Sequence, residues 1–179
     1  MPQPSRTTEN DVSSASPAAD AARPDGAIAT ALGRIPSGLF IVSWRQGESD
    51  RTMLASWVMQ AGFAPPAITI AVGTSRDLLT AIAGGTPFVV NILGESQRPL
   101  LARFGRPAAA GEDPFAGLDI VRASCGAAAL VAATAWLECR GTAQAAAGDH
   151  VIVVAEVTAA GGGSDEPALV HTRRNGLRY

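Results

Sequence analysis

Four short stretches hold the side chains with chemistry to offer. GTSRD (73–77) sets Ser75 and Arg76 directly after an apolar run. A hydroxyl and a permanently charged guanidinium at the start of a helical pattern suit a phosphate. They suit equally a capped helix with a solvated arginine, and the residues alone leave both readings open. GDH (148–150) places His150 at the head of a strand-like run, where it faces solvent, a core partner or a ligand, while Asp149 beside Gly148 is ordinary turn chemistry. VHTRRNGLRY (170–179) joins His171 to Arg173 and Arg174, a cationic group that can take an anionic substituent or sit in water. TMLASWVMQAGFAPP (52–66) is apolar beyond Thr52 except for Ser56 and Gln60; a hydroxyl and an amide in such a run need internal hydrogen bonds or border a ligand.

Other chemistries find little to work with. GTSRD lacks the second glycine of a nucleophile elbow. No GxGxxG follows a strand, and the GGG at 161–163 precedes no helix, so a dinucleotide fold of the Rossmann type is excluded. Cys125 and Cys139 form no CxxC and have no histidine at ligand spacing, which leaves zinc and iron–sulfur readings unsupported and makes both thiols small buried hydrophobes of a reducing compartment. The 14 basic residues are all arginine and are balanced by 16 acidic ones without blocks of either sign, so no nucleic-acid footprint is visible. No apolar run reaches the roughly 18 residues that span a bilayer, and the N-terminus lacks the apolar core of a signal peptide. The sequence therefore predicts a cytoplasmic protein whose partners are small molecules or proteins.

The elements that must position these residues follow from pattern. Residues 1–26, rich in Ser, Pro, Ala and Thr, predict a disordered leader, and residues 27–179 a single domain. AIATALGRIPSG supplies a short helix. LFIVSWR (39–45), TMLASWVMQAGF (52–63), AITIAVG (67–73) and PFVVNIL (87–93) read as strands, the second ended by Pro65 and Pro66. SRDLLTAIAGG reads as a helix capped by Ser75, and SQRPLLARFG (96–105) as another capped by Ser96 with Pro99 in its first turn. LDIVRA, HVIVVAEVTAA and PALVHTRR read as further antiparallel strands, and AATAWLECRGTAQ as a strand whose alanines fit a helix as well. Many short strands with two or so helical insertions predict a mainly β domain, closed or partly closed as a barrel.

In order, LASWVMQAGFAPP, SRDLLTAI, FVVNILGE, LARFG, AGEDPFAG, AWLECRG and GDH before VIVVAEV resemble the flavin reductase-like family, the FMN-binding split barrels. The match is similar in detail to the flavin reductase module at the C-terminus of flavodiiron proteins, and covers roughly residues 30–179. The resemblance implies a six-stranded antiparallel split β-barrel of Greek-key type that forms a homodimer, its flavin groove partly lined by the second subunit. It implies FMN as cofactor, with FAD the alternative, and NADH or NADPH as hydride donor. Thr52, Met53, Leu54, Ala55 and Ser56 are implied to border the flavin, with Gln60 and Ala61 close by, Ser75 and Arg76 at its phosphate and His171 also beside it. His150 is implied to face the nicotinamide. Ser56, near the ring N5, and His150 are the implied catalytic pair.

The implied function is NAD(P)H-dependent reduction of flavin, with a partner monooxygenase as the implied recipient; the alternatives are an FMN protein that carries electrons between protein partners, and a split barrel without flavin that serves as a binding dimer. Many stand-alone reductases have Thr-Ala-Ser-Ser where this chain has LASW, a form shared with the flavodiiron modules. With no diiron or flavodoxin-like segment ahead of residue 27, the chain is expected to act alone or with an electron-acceptor protein.

Overall fold

The computed structural model describes residues 26–109 and 111–177. The expected leader lies outside them except for Gly26, which opens helix α1 (Gly26–Gly33). The strands are β1 (Ser37–Gly38), β2 (Phe40–Gln46), β3 (Ser49–Ala55), β4 (Val58–Phe63), β5 (Pro66–Gly73), β6 (Phe88–Ile92), β7 (Ile120–Arg122), β8 (Ala128–Leu130), β9 (Ala135–Ala147), β10 (His150–Gly161) and β11 (Val170–His171). Helices α2 (Asp77–Ala83) and α3 (Leu100–Phe104) are the insertions. Seven strands form one antiparallel sheet in the order β3-β2-β6-β9-β10-β5-β4, and β1-β11 and β7-β8 pair separately. The alternation that left AATAWLECRGTAQ between strand and helix resolves as the long strand β9.

The expected six strands become seven because TMLASWVMQAGF is two strands rather than one. The chain leaves β3 at Ala55, passes Ser56 and Trp57, and enters β4 on the opposite edge of the sheet. A two-residue link spans only about 10 Å at full extension, far less than the width of seven strands at roughly 4.8 Å spacing. The sheet therefore has to curl until its edges approach at that corner. One apolar cluster shows the result: it gathers Val42 of β2, Met53 of β3, Ile70 of β5, Phe88 of β6, Cys139 of β9 and Val153 of β10, with Leu78 and Ile82 of α2 across one end. Such side chains each contribute about 1.5–3 kcal/mol on full burial.

A second layer covers the outside of β2 and β6. Leu39, Ile41 and Leu93 pack there against Phe104, Phe115, Leu130 and Leu169, which is why β2 and β6 are buried on both faces and read as near-continuous apolar runs. Asn91 is the polar exception in β6. It is fully buried, donates to the Ile41 carbonyl at 2.9 Å and accepts from the Leu130 amide at 2.7 Å, tying β2, β6 and β8 together.

Two predicted caps are corrected. Arg76, in extended backbone and without a side-chain cap bond, holds the N-cap position of α2 in place of Ser75. The expected helix 96–105 is split into a 3-10 turn (Glu95–Gln97) and α3, because Pro99 cannot donate within a continuous helix. Ser96 caps nothing: its hydroxyl donates to Glu166 at 2.8 Å. PALVHTRR contributes only the two-residue β11, paired Ser37 to His171 and Gly38 to Val170. Cys139 is fully buried as expected and Cys125 half-buried; burial pushes the Cys139 thiol up to about 12. Among the described residues no helix is long and apolar enough to cross a membrane.

Replacing Asn91 by leucine preserves volume while stripping two buried backbone groups of a partner. Stranded buried groups cost roughly 1–3 kcal/mol each, so urea denaturation of Asn91→Leu is expected to show a loss of about 2–4 kcal/mol; a loss under about 0.5 kcal/mol would show that water replaces both bonds.

Candidate functional site

Ser56 is the hinge of the curled sheet and also the odd residue in it. It is 6% exposed, and its Oγ is buried without a hydrogen-bond partner among the described residues. A buried hydroxyl left unpaired costs about 1–3 kcal/mol, so its persistence at the corner calls for a use. Three cavities meet at this residue.

The first, of about 390 Å³, runs along β3. Thr52, Met53, Leu54, Ala55 and Ser56 form one side, and Gly73, Thr74, Ser75 and Arg76 form the other. These are brought together because β3 and β5 belong to opposite halves of the sheet and meet only through the curl. β3 has a single neighbour in the sheet, so alternate backbone N–H and C=O groups along it point away from β2 and remain available. Arg106 and Pro107, after α3, complete the wall. Sequence reasoning missed this loop, whose only signal was its proline and glycine content.

The charges of the groove are unequal in availability. Arg106 grips Glu112 through two hydrogen bonds of 3.0 and 2.7 Å, and Arg51 grips Asp77 at 2.6 Å. Arg76 is exposed and its guanidinium has no protein partner among the described residues. Ser75 and Arg76 therefore form a corner with one uncommitted cation. The Glu112 carboxyl is held at about 2, below the ordinary 4.5, first by the Arg106 hydrogen bond and then by the Ala109 amide.

His150 lines the same groove beside Asp149. Its Nδ1 lies 2.7 Å from the Asp149 carboxylate, which can only accept, so Nδ1–H donates. The hydrogen bond and charge of His150 in turn hold the Asp149 carboxyl below its ordinary value. Asp149, read from sequence as turn chemistry alone, thus also fixes the imidazole. The ring packs on Trp57 with centroids 4.9 Å apart, and the Arg173 guanidinium lies 4.6 Å from the Trp57 ring centroid.

Arg173 belongs to the second cavity, of about 550 Å³, where His171 to Asn175 face Leu54, Ala55 and Ser56. The two cavities thus share the end of β3, and His171 sits in the second rather than the first. The chain after β11 is pinned in place by α1: Arg173 donates its amide to Gly33 and Gly176 to Ala29. A Cβ at Gly33 would stand 2.4 Å from the Arg173 carbonyl oxygen, so only glycine allows this approach. The third cavity, about 630 Å³, lies across Ser56 and Trp57 and is lined by Ile35, Val58, Met59 and Val170. Gln60 and Ala61 are exposed on β4 and line none of these three cavities.

The residues fit a flavin. The cavity beside β3 lies within the roughly 300–1,000 Å³ range of small-molecule sites, an uncommitted guanidinium stands at one end, and an unpaired buried hydroxyl stands where it adjoins the other two cavities. Among the described residues there is no group of three or more His, Cys, Asp or Glu able to hold a metal ion.

The match to the family described as "Flavin reductase like domain" covers residues 32–176. Putative diflavin flavoprotein A 3 of Synechocystis sp. is 37% identical over 167 residues, which is 93% of this chain and 27% of that protein. Diflavin flavoprotein A 1 of the same organism is 40% identical over 135 residues, 75% of this chain and 24% of that protein. The chain spans about a quarter of the length of these relatives. Among solved structures, Streptomyces globisporus C-1027 NADH:FAD oxidoreductase SgcE6 in complex with NAD and FAD fragments superposes with a TM-score of 0.72 at 26% identity, covering 84% of this chain and 88% of that one.

Glu112, with its lowered carboxyl, stabilises the Arg106 wall fully above its unfolded value of 4.5, and that contribution is lost as pH falls through about 2. The Ala109 amide, which donates to Glu112 at 2.7 Å, should keep its hydrogen-exchange protection factor from pH 7 to about 5 and lose it between about 4.5 and 2. A protection factor that falls already between pH 7 and 5 would contradict this.

Proposed function

The chain belongs to the flavin reductase-like domain family, and from that premise we propose that it is an NAD(P)H-dependent FMN reductase of the cytoplasm, passing a hydride from NADH or NADPH to the flavin. One observation carries the reading: a single groove holds an uncommitted guanidinium, Arg76, and an unpaired buried hydroxyl, Ser56. A flavin bound here would supply the hydride chemistry that none of these side chains has. Arg76 and the Ser75 hydroxyl neutralise and hold the phosphate, while the exposed Arg76 keeps that end in contact with water. Thr52 to Ala55 present edge-strand backbone groups along the length of the molecule, and Met53 and Leu54 exclude water from its flank.

Ser56 Oγ–H donates at the ring end, satisfying its own lone hydroxyl only when the site is filled. A donor fixed in advance in a dry corner needs no reorganisation as charge develops, which is where such a group lowers a barrier. His150, oriented by Asp149 and braced on Trp57, shapes the side on which the nicotinamide has to stack and transfers no proton. His171, in the adjoining cavity, stands at the ring end with Arg173 and Arg174.

A second copy of the chain covers the third cavity. Ile35, Met59 and Val170, which line it, are 62, 67 and 60% exposed, and Ser56 lines this cavity as well as the β3 groove. A subunit seated there would reach the same corner that holds the flavin, in keeping with the dimer the family resemblance implies.

A second reading, an FMN protein that carries electrons between protein partners, is favoured by one observation: in its relatives the matching segment is about a quarter of a longer protein. Oxidation of NADH or NADPH by the purified chain with excess FMN decides between them. Multiple turnovers support the reductase, and tight FMN retention without turnover supports the electron carrier, to which a monooxygenase or another acceptor protein is then the partner.

Three variants test the roles. Arg76→Ala is expected to weaken FMN by about tenfold and riboflavin little; equal weakening would remove Arg76 from the phosphate. Ser56→Ala is expected to leave the melting temperature unchanged or higher, since an unpaired hydroxyl is lost, while lowering the hydride-transfer rate by roughly tenfold or more. Met59→Arg, on the wall of the third cavity, is expected to convert a dimer to a monomer in light scattering, with an unchanged mass overturning the assignment of this face.

A further inference from the structure

Beyond the Ser75–Arg76 corner the groove continues into a narrow cleft of about 120 Å³ that shares Thr52, Met53, Ser75 and Arg76 with it. Its far walls are Arg51 and Asp77, joined by the 2.6 Å salt bridge. We infer that this pair selects a flavin ending in a single phosphate over one extended through a second phosphate to a nucleoside. The inference rests on the flavin reading of the groove and concerns the end of it that the reading leaves open, FMN against FAD.

Three features support it. The cleft is well below the roughly 300 Å³ at which small-molecule sites begin, so it accepts the oxygens of a monoester and not an adenosine. The cations around it are also counted out: Arg51 is committed to Asp77 and Arg106 to Glu112, which leaves Arg76 alone to meet one phosphate. Finally, Asp77 lies next to Arg76 in sequence and its side chain is 64% exposed, so a second phosphate arriving beyond the corner meets a carboxylate. Arg51 is the residue that would bind that second phosphate, and the pair withholds it. The selection is thus one of charge commitment, with the narrow width in support.

Flavin fluorescence titration of the full chain with FMN and with FAD tests this. Native protein is expected to bind FMN at least about tenfold more tightly than FAD, one charge-assisted hydrogen bond being worth that factor. Asp77→Asn keeps the shape and releases Arg51, and should move the FAD:FMN affinity ratio toward FAD by about tenfold. Arg51→Ala leaves the Asp77 carboxylate bare and should move the ratio no closer to FAD than native. Both positions are partly exposed, so neither substitution threatens the fold. FAD binding as tight as FMN in native protein, an unchanged ratio in Asp77→Asn, or a shift toward FAD in Arg51→Ala would each overturn the inference while leaving the flavin reading intact. Native protein that binds neither flavin would overturn that reading, and the inference with it.

Discussion

The architecture depends on one short tether. Because β3 and β4 are consecutive in the chain and lie at opposite edges of a seven-stranded sheet, Ser56 and Trp57 must hold those edges within a few residues of each other. Everything at the site follows: the curl wraps the sheet around its apolar interior, brings β5 and the Ser75–Arg76 corner opposite β3, and crowds three cavities around one serine. A longer link would relax the curl and separate the walls. The backbone restriction at this corner is therefore as much part of the site as any side chain.

The same corner explains how the protein tolerates a local defect. Ser56 Oγ is stranded in an otherwise well-satisfied interior, where Asn91 and Glu138 each find several partners. Trp57, by contrast, is over-supported, with His150 and Arg173 both against its ring. The departure from polar residues at Leu54 and Trp57 thus reads as bracing: Leu54 packs with the outer layer and Trp57 anchors the imidazole.

Much of this was legible in the sequence, and the failures have a physical pattern. Ile68, Ile70 and Val72 announce β5 by strict alternation, and the two-sided burial of β2 and β6 shows as apolar runs interrupted only by Ser43 and Asn91. The break at Ser56 was invisible because apolar side chains continue on both sides of it, and periodicity reports which face is buried without reporting which sheet edge a strand joins. Ser75 seemed a cap because hydroxyls usually are; the chain enters α2 one residue later, and the acidic Asp77 takes the first turn. Of the positions the family motif named, Thr52 to Ser56, Ser75, Arg76 and His150 line the β3 groove, while Gln60, Ala61 and His171 do not; Asp149 as the anchor of His150, the Arg106 wall and the Arg51–Asp77 pair went unread. The last of these joins positions 26 residues apart, and no local spacing encodes such a contact.

The stapling of α1 to the segment after β11 has a consequence for how this domain can travel. Gly176 and Ala29 share a backbone hydrogen bond of 2.7 Å, so the polypeptide enters and leaves the fold at one place on its surface. A unit whose ends adjoin can be carried within a longer polypeptide without stretching its neighbours apart. Portability of this kind is a property of the backbone path alone, independent of what the groove binds, and it equips the same fold to serve as a free-standing protein or as one segment of a larger assembly line.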